Sequence, residues 1–250
     1  MIYIGTSGWY YDSWKGLFYP EDIPKEEFLR FYASRFTTVE INNTFYHLPL
    51  DTTLHHWRER VPDSFLFSVK ASRYITHTKR LIDPQKSTKK FWHAARILEP
   101  KLGPVLFQLP LRFRPDPGRL QRFLEILPRD VRSVFEFRDR NWFQPDIFAL
   151  LKKFNVAFCI YDYAGYQSPK EITADFVYVR LHGAEGAYQG KYTDTQLSAW
   201  AHDFQTWSNE HKDVYCYFDN DQKGFAAQNA MELQSILEQS AEAPCGESGN

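Results

Sequence analysis

Along the chain, short runs of apolar residues alternate with longer stretches in which apolar positions recur every three or four residues. Eight of the short runs read as strands: Tyr3–Thr6, Thr38–Ile41, Leu66–Lys70, Val105–Gln108, Ser133–Phe137, Val156–Tyr161, Val177–Leu181 and Val214–Phe218. Helical spacing marks Lys25–Arg35, where Phe28, Phe31 and Tyr32 share a face, and Gln85–Leu98, where Phe91, Trp92, Ala95 and Leu98 do. Leu120, Phe123, Leu124 and Leu127 form another stripe, and Ile147, Leu150 and Leu151 one more. Thr52–Arg60 opens on capping residues, Thr193–Glu210 on a Thr-x-x-Gln box, and Gly224–Glu238 closes the series. Strands alternating with helices at this spacing build parallel βαβ units, and eight of them close most naturally into a single (β/α)8 TIM-barrel-like fold.

The sixth unit is the weak one, since Gly165–Thr173 has room for only a turn or two. An open doubly wound sheet is the competing architecture. Its phosphate fingerprint G-x-G-x-x-G is missing after the first strand, where the chain reads GTSGWY. Nothing resembling a linker or repeat divides the chain. Residues 1–238 are therefore read as one barrel domain and 239–250, small and polar, as a flexible tail.

A length of 250 residues suits one barrel, and the 17% aromatic content supplies bulk for the space between strands and helices. The net charge of −1 gives no global field for nucleic acid or an anionic membrane, so anion binding has to come from a local cluster. Cys159, Cys216 and Cys245 lack C-x-x-C spacing, which points to a reducing compartment rather than a disulfide or structural zinc. The N-terminal MIYIGTSGWY has no signal-peptide pattern, and runs such as VAFCIY are too short to span a bilayer. The expected location is cytoplasmic.

Candidate chemistry comes from period-two placement within the strands. In SVFEFRDR, Glu136 and Arg138 share the face opposite Phe135 and Phe137; in VYVRLHG, Arg180 and His182 share the face opposite Val179 and Leu181. Glu40 and Asn42 in TTVEINN, and Ser68 and Lys70 in LFSVK, follow the same rule, and Gln108, Asp162 and Asn220 end further strands. If the phenylalanines and valines face the helices, the polar set points down the barrel axis. It gathers at the C-terminal mouth, where such barrels do their chemistry. The competing reading is a buried ion-pair network that sets strand register and binds nothing.

The stretches GTSGWYYDSWKGLFYP, VEINNTFYHLP, FSVKASRYITH, FQLP, FEFRDRNWF, VRLHG and YCYFDNDQKGFAAQNA resemble the domain of unknown function 72 (DUF72, YecE-like) family, in order from Ile4 to about Leu233. The resemblance implies a TIM-barrel-like fold with a ligand site at the strand ends, similar at fold level to the xylose-isomerase and endonuclease IV barrels. It implies no activity. Its motifs fall here on Glu40, Asn43, Phe45, Tyr46, Lys70, His77, Gln108, Glu136, Arg138, Trp142, Arg180, His182, Gly183 and Asn220. Family members often show Phe-Asn-Asn where this chain has Phe218, Asp219 and Asn220.

The first functional expectation is an enzyme acting on a phosphorylated or otherwise anionic substrate, of sugar or nucleotide type. Lys70, Arg138 and Arg180 bind the anion, with Asn43, Tyr46, His77, Gln108, Asp162 and Asn220 completing the site. Glu40, Glu136 and His182 supply acid and base catalysis. No cofactor is expected. A divalent metal on Glu40, Glu136, Asp162 and His182 is the variant, opposed by three cations in the same mouth. The alternative class is a non-catalytic binder of nucleic acid or another anion. It would use the basic run Lys70, Arg73, His77, Lys79, Arg80, Lys86, Lys89 and Lys90, with Tyr74 and Trp92 interleaved. Tyr10, Trp14, Tyr46, Trp142 and Tyr188 are candidate pocket walls, and Gly183–Tyr192 is either a lid or a long turn.

Overall fold

The computed structural model describes residues 1–242, so Cys245 and most of the expected tail lie outside the described residues. All eight expected strands form: β1 (Ile2–Thr6), β2 (Thr38–Ile41), β3 (Leu66–Lys70), β4 (Leu102–Leu109), β5 (Ser133–Phe137), β6 (Ala157–Tyr163), β8 (Phe176–Leu181) and β9 (Asp213–Phe218). The two-residue β7 (Tyr166–Gln167) folds back antiparallel on β6. The eight long strands are parallel and run in the order β1-β9-β8-β6-β5-β4-β3-β2. They form a nearly closed (β/α)8 barrel.

The seam between β1 and β2 is held differently from the other joints. A single bridge, Ser7 to Glu40, crosses it. The Tyr32 hydroxyl adds to this by accepting from the Thr6 N–H (2.9 Å) and donating to the Thr38 carbonyl (3.1 Å). Gly5 permits the close approach, because a Cβ there would strike the Thr38 carbonyl oxygen.

Helices α1 (Phe28–Ala33), α2 (Asp51–Glu59), α3 (Pro84–Arg96), α4 (Pro117–Glu125), α5 (Pro145–Lys153), α6 (Asp194–Asn209) and α7 (Phe225–Glu242) surround the sheet. Proline opens α3, α4 and α5, where its missing N–H costs nothing, and the Asp116 carboxylate accepts from the Arg119 N–H at 2.9 Å. The Thr193/Gln196 capping box starts α6 as expected. By contrast, α2 begins at Asp51 without a side-chain cap, one residue before the capping residues indicate. No helix follows β6, where the β6–β7 hairpin takes its place. Helix α7 continues to Glu242, four residues past the expected boundary of the tail. Among the described residues no helix is long and apolar enough to cross a membrane.

Two apolar layers result. The outer one, between sheet and helices, takes Val39, Ile41, Phe107, Phe135, Phe137, Val179 and Leu181. The inner one, within the barrel, takes Leu106, Val134, Ala157, Cys159, Phe176, Tyr178, Tyr215 and Tyr217. Tyrosine hydroxyls grade the interior from apolar to polar: Tyr178 meets Ser68 and Tyr217 meets Thr38, each at 2.7 Å. Above them lie the charges.

Candidate functional site

Alternation along β8 places Arg180 on the axis two residues beyond Tyr178, with its side chain fully buried. Its guanidinium donates to Glu136 Oε2 (2.8 Å), Glu40 Oε1 (2.8 Å) and Asp219 Oδ2 (3.0 Å). Glu40 also accepts from the Ser7 and Tyr178 hydroxyls, each at 2.6 Å. Glu136 pairs through its other oxygen with Arg138 Nε. One buried cation therefore gathers three carboxylates from β2, β5 and the end of β9, and each has a further partner. Buried charges persist under that condition.

His182 closes the set. Its Nδ1 donates to Asp219 Oδ2 (2.9 Å), and its Nε2 accepts from Arg138 (3.0 Å) and Arg180 (3.2 Å). With both nitrogens committed in this sense the ring is neutral. Burial and the flanking Arg180 and Arg138 hold its pKa well below the ordinary value, against the pull of Glu136. Burial pushes the Glu136 carboxyl up, but Arg138, Arg180, His182 and Lys70 outweigh it and keep it well below the carboxylate range. At Asp219 burial dominates, and that carboxyl is raised in spite of Arg180, Lys70 and Arg138.

Lys70, at the inward end of β3, makes no ion pair among the described residues, although Glu40, Glu136 and Asp219 lie near it. Its Nζ lies 4.6 Å from the Phe45 ring centroid. Burial and Arg180 lower its pKa to about 8, opposed by Glu136, Glu40 and Asp219. The same Phe45 ring meets His77 edge-on at 5.0 Å. Burial and the cations Lys70, Arg73 and Arg80 lower the His77 pKa to about 4, so its imidazole is neutral at neutral pH.

Lys70, Glu40, Glu136, Arg138, Arg180 and His182 are thus brought together as expected, but their roles divide. Glu40, Glu136 and His182, expected as catalytic groups, are fully buried beneath the mouth; Glu40 and His182 are hydrogen-bonded throughout, whereas Glu136 Oε1 has only its charge contact with Arg138. The solvent-facing part is a cavity of about 690 Å³ lined by His77, Gln108, Arg112, Arg138, Arg140, Tyr161, Tyr163, Tyr166 and Tyr188, together with Pro110, Leu111 and Asp139. Arg138 lies over Tyr163 (4.4 Å) and Arg140 over Tyr166 (3.5 Å).

Two expected site residues face elsewhere. Asp162 alternates with the inward-facing Cys159 and Tyr161, so it points outward, where Gln167 is its hydrogen-bond partner at 3.5 Å. The four-residue metal set that included it is therefore not gathered. Asn220 is one residue out of phase with Tyr217 and Asp219. Its amide donates to Gly190 O and Asn229 Oδ1, each at 3.0 Å, tying the Gly183–Tyr192 loop to α7. Asp219 occupies the inward position instead. Asn43 and Tyr46 are exposed in the turn after β2, Asn43 against a second cavity with Trp9, Tyr10, Asn42 and Trp57.

Of the candidate walls, only Tyr188 lines the mouth. Trp14 and Trp142 are fully buried outside the barrel, Trp142 stacked on Phe137 at 4.8 Å. The Gly183–Tyr192 loop is a long turn pinned by Tyr188 N–H to His182 O (2.7 Å) and by the Tyr192 hydroxyl accepting from Gly183 N–H (3.1 Å). Arg112, Arg140, Tyr161, Tyr163 and Tyr166 were missed. For Tyr161 the signal was available, since it is in phase with Cys159.

The family model for "Protein of unknown function DUF72" matches residues 3–248. The chain belongs to the DUF72 family. A DUF72 family protein of Thermotoga maritima, known from a crystal structure, superposes with a TM-score of 0.85 at 30% identity, covering 95% of this chain and 99% of that one. UPF0759 protein YunF of Bacillus subtilis is 29% identical over 95% of both chains. A DUF72 family protein of Enterococcus faecalis shares the fold, with a TM-score of 0.75 at 21% identity over 95% of this chain and 96% of that one. The DUF72 fold thus carries, in this member, a buried charge network roofed by a cationic and aromatic cavity.

Proposed function

We propose that this protein is an enzyme that takes a small anionic substrate, phosphorylated or carboxylated and of sugar or nucleotide size, in the cavity at the C-terminal mouth. The observation that carries the reading is the charge of the cavity wall. Arg112, Arg138 and Arg140 line it, and its single carboxylate, Asp139, is occupied by the backbone N–H (3.0 Å) and side-chain amide (2.8 Å) of Asn141. Lys70 lies behind this wall, its Nζ over the Phe45 ring that also meets the cavity residue His77, and it makes no ion pair among the described residues. Of the acids below, Glu40 and Asp219 are held by Arg180, and Glu136 is shared between Arg180 and Arg138, leaving Arg112 and Arg140 without an ion pair among the described residues. An anion in the cavity would relieve the cost of crowding like charges at low dielectric. The four tyrosine rings suit a flat or sugar-like body.

In this reading Glu40, Glu136, Asp219 and His182 position Arg138 and Arg180 rather than touch substrate. Proton transfer at the cavity falls to groups that reach it. His77, neutral at neutral pH, is the available base.

Thermal unfolding against a panel of inorganic phosphate, sugar phosphates, nucleotides and dicarboxylates tests the reading. A ligand present at about 100 times its Kd should add about 2.7 kcal/mol, or roughly 5–10 °C in Tm for a chain of this size. The gain should shrink in Lys70→Met and Arg138→Gln. No stabilisation by any anion, or equal stabilisation of both variants, would sink it.

A further inference from the structure

We infer that Lys70 is a nucleophilic amine, and that the substrates of this site are anionic aldehydes or ketones held as an imine on its Nζ. The inference deepens the anion-site reading above and rests on it.

Four structural facts converge on the amine. Lys70 ends β3 on the axis side, in a parallel barrel whose C-terminal mouth is its open face. The strand end is fixed, because the Thr44 hydroxyl donates to the Lys70 carbonyl at 2.7 Å and to the Ile41 carbonyl at 3.1 Å, fastening β3 to the turn after β2. The ammonium rests on an aromatic face, Phe45, and makes no ion pair among the described residues. Every neighbouring carboxylate is drawn toward a guanidinium instead: Glu40, Glu136 and Asp219 to Arg180, and Glu136 also to Arg138. A lysine whose task was structural would be expected to take one of those carboxylates. The Phe45 face attracts the charged form, but burial, the neighbouring Arg180 and the lack of a paired carboxylate favour the neutral amine.

The charged and titratable groups that face Lys70 are Arg180 on β8, Glu136 on β5, Glu40 on β2, Asp219 after β9 and His77 in the turn after β3. The balance of burial and Arg180 over the three carboxylates agrees with the geometry, with the pKa brought down to about 8. His77 contributes no competing charge, since it is neutral down to about pH 4.

The step balances without an external oxidant or reductant. The Lys70 ammonium gives one proton to water at the mouth. The Nζ lone pair then forms a bond to the carbonyl carbon, and the carbonyl π pair moves to oxygen. One proton moves from nitrogen to that oxygen, giving a carbinolamine. The hydroxyl takes a proton back from solvent and leaves as water while the nitrogen lone pair closes the C=N bond, so that ammonium plus carbonyl become a protonated imine plus water. The anionic group of the substrate meets the arginine wall, which offsets the cations gathered around the iminium.

Reductive trapping on the full chain provides the test. The protein is treated with glyoxylate, or separately with pyridoxal 5′-phosphate, in the presence of cyanoborohydride from pH 6.5 to 9.5, and adducts are mapped by peptide mass. A lysine titrating near 8 is about 200-fold richer in free amine at pH 7.5 than an ordinary one near 10.4, and its lower basicity returns part of that advantage. Lys70 should therefore be modified at least about tenfold faster than the remaining lysines, with a rate that levels off above pH 8–8.5. Inorganic phosphate should slow its modification. Labelling of Lys70 no faster than that of the other lysines overturns the inference. The two claims fail separately. Anion stabilisation without Lys70 trapping removes the imine and leaves the anion site, whereas fast Lys70 trapping with no stabilisation by any anion removes the anion site. Because the readout is taken on unmutated protein, it does not depend on a Lys70 variant folding.

Discussion

Replacing Arg180 with methionine keeps most of the side-chain stem and removes the guanidinium that contacts three carboxylates. The structure sets how much should be lost. Glu136 retains Arg138, and Glu40 retains the Ser7 and Tyr178 hydroxyls at 2.6 Å. Asp219 retains only the His182 Nδ1 donor at 2.9 Å, and burial already raises its carboxyl. The variant therefore strands about one buried negative charge, not three. Breaking a buried pair from one side costs about 3–5 kcal/mol. At about 2–4 °C per kcal/mol for a chain of this length, the melting temperature should fall by roughly 6–20 °C at pH 7.5.

The deficit should also depend on pH in one direction. Without Arg180 the stranded carboxyl has a folded pKa raised above its unfolded value. Folding then takes up a proton, and stability falls as pH rises from the unfolded carboxylate range of about 4 toward the raised folded value. Differential scanning fluorimetry and urea unfolding from pH 5 to 8 read both effects, and the gap between variant and wild type should widen with pH. Adding Asp219→Asn, which removes the stranded charge and keeps an oxygen to accept from His182, should recover part of the loss. A variant that melts within about 2 °C of wild type at every pH would refute the claim that these charges are buried and mutually dependent.

Three other outcomes are expected. Because the folded pKa of His182 lies well below that of an unfolded histidine, near 6.5, stability should fall as pH drops through about 6.5, by up to about 1.4 kcal/mol per pH unit. Urea midpoints should show a fall that is reduced in His182→Gln, with His77 keeping its own part of it. Asn220→Ala removes the tie to Gly190 and Asn229, which should cost about 1–2 kcal/mol and speed amide exchange in residues 183–192, while the charge network keeps its pH profile. Gly5→Ala forces a Cβ onto the Thr38 carbonyl at the β1–β2 seam, so a loss of about 1–3 kcal/mol is expected, with faster exchange at the Thr6 N–H. An unchanged melting temperature would show that the seam is slack.

Alternation in SVFEFR and VYVRLH was enough to turn Glu136, Arg138, Arg180 and His182 toward the axis, because successive side chains on a strand take opposite faces whatever the rest of the chain does. The eight strands and the helices between them were legible for the same local reason. Asp162 and Asn220 were misplaced by reading strand ends rather than phase. Cys159 and Tyr161 before the one, and Tyr217 before the other, already marked both as out of step. What no local pattern held is the division of labour. Arg180 meets Glu40 across 140 residues of sequence and Glu136 across 44, so which carboxylates it takes is settled only when the barrel closes. Closure places Glu40, Glu136 and His182 beneath the mouth, leaves the arginine wall at it and sets Lys70 against Phe45 behind His77. Strand phase is a property of the backbone and is written along the chain, whereas charge pairing depends on distances between strands that only the tertiary fold decides.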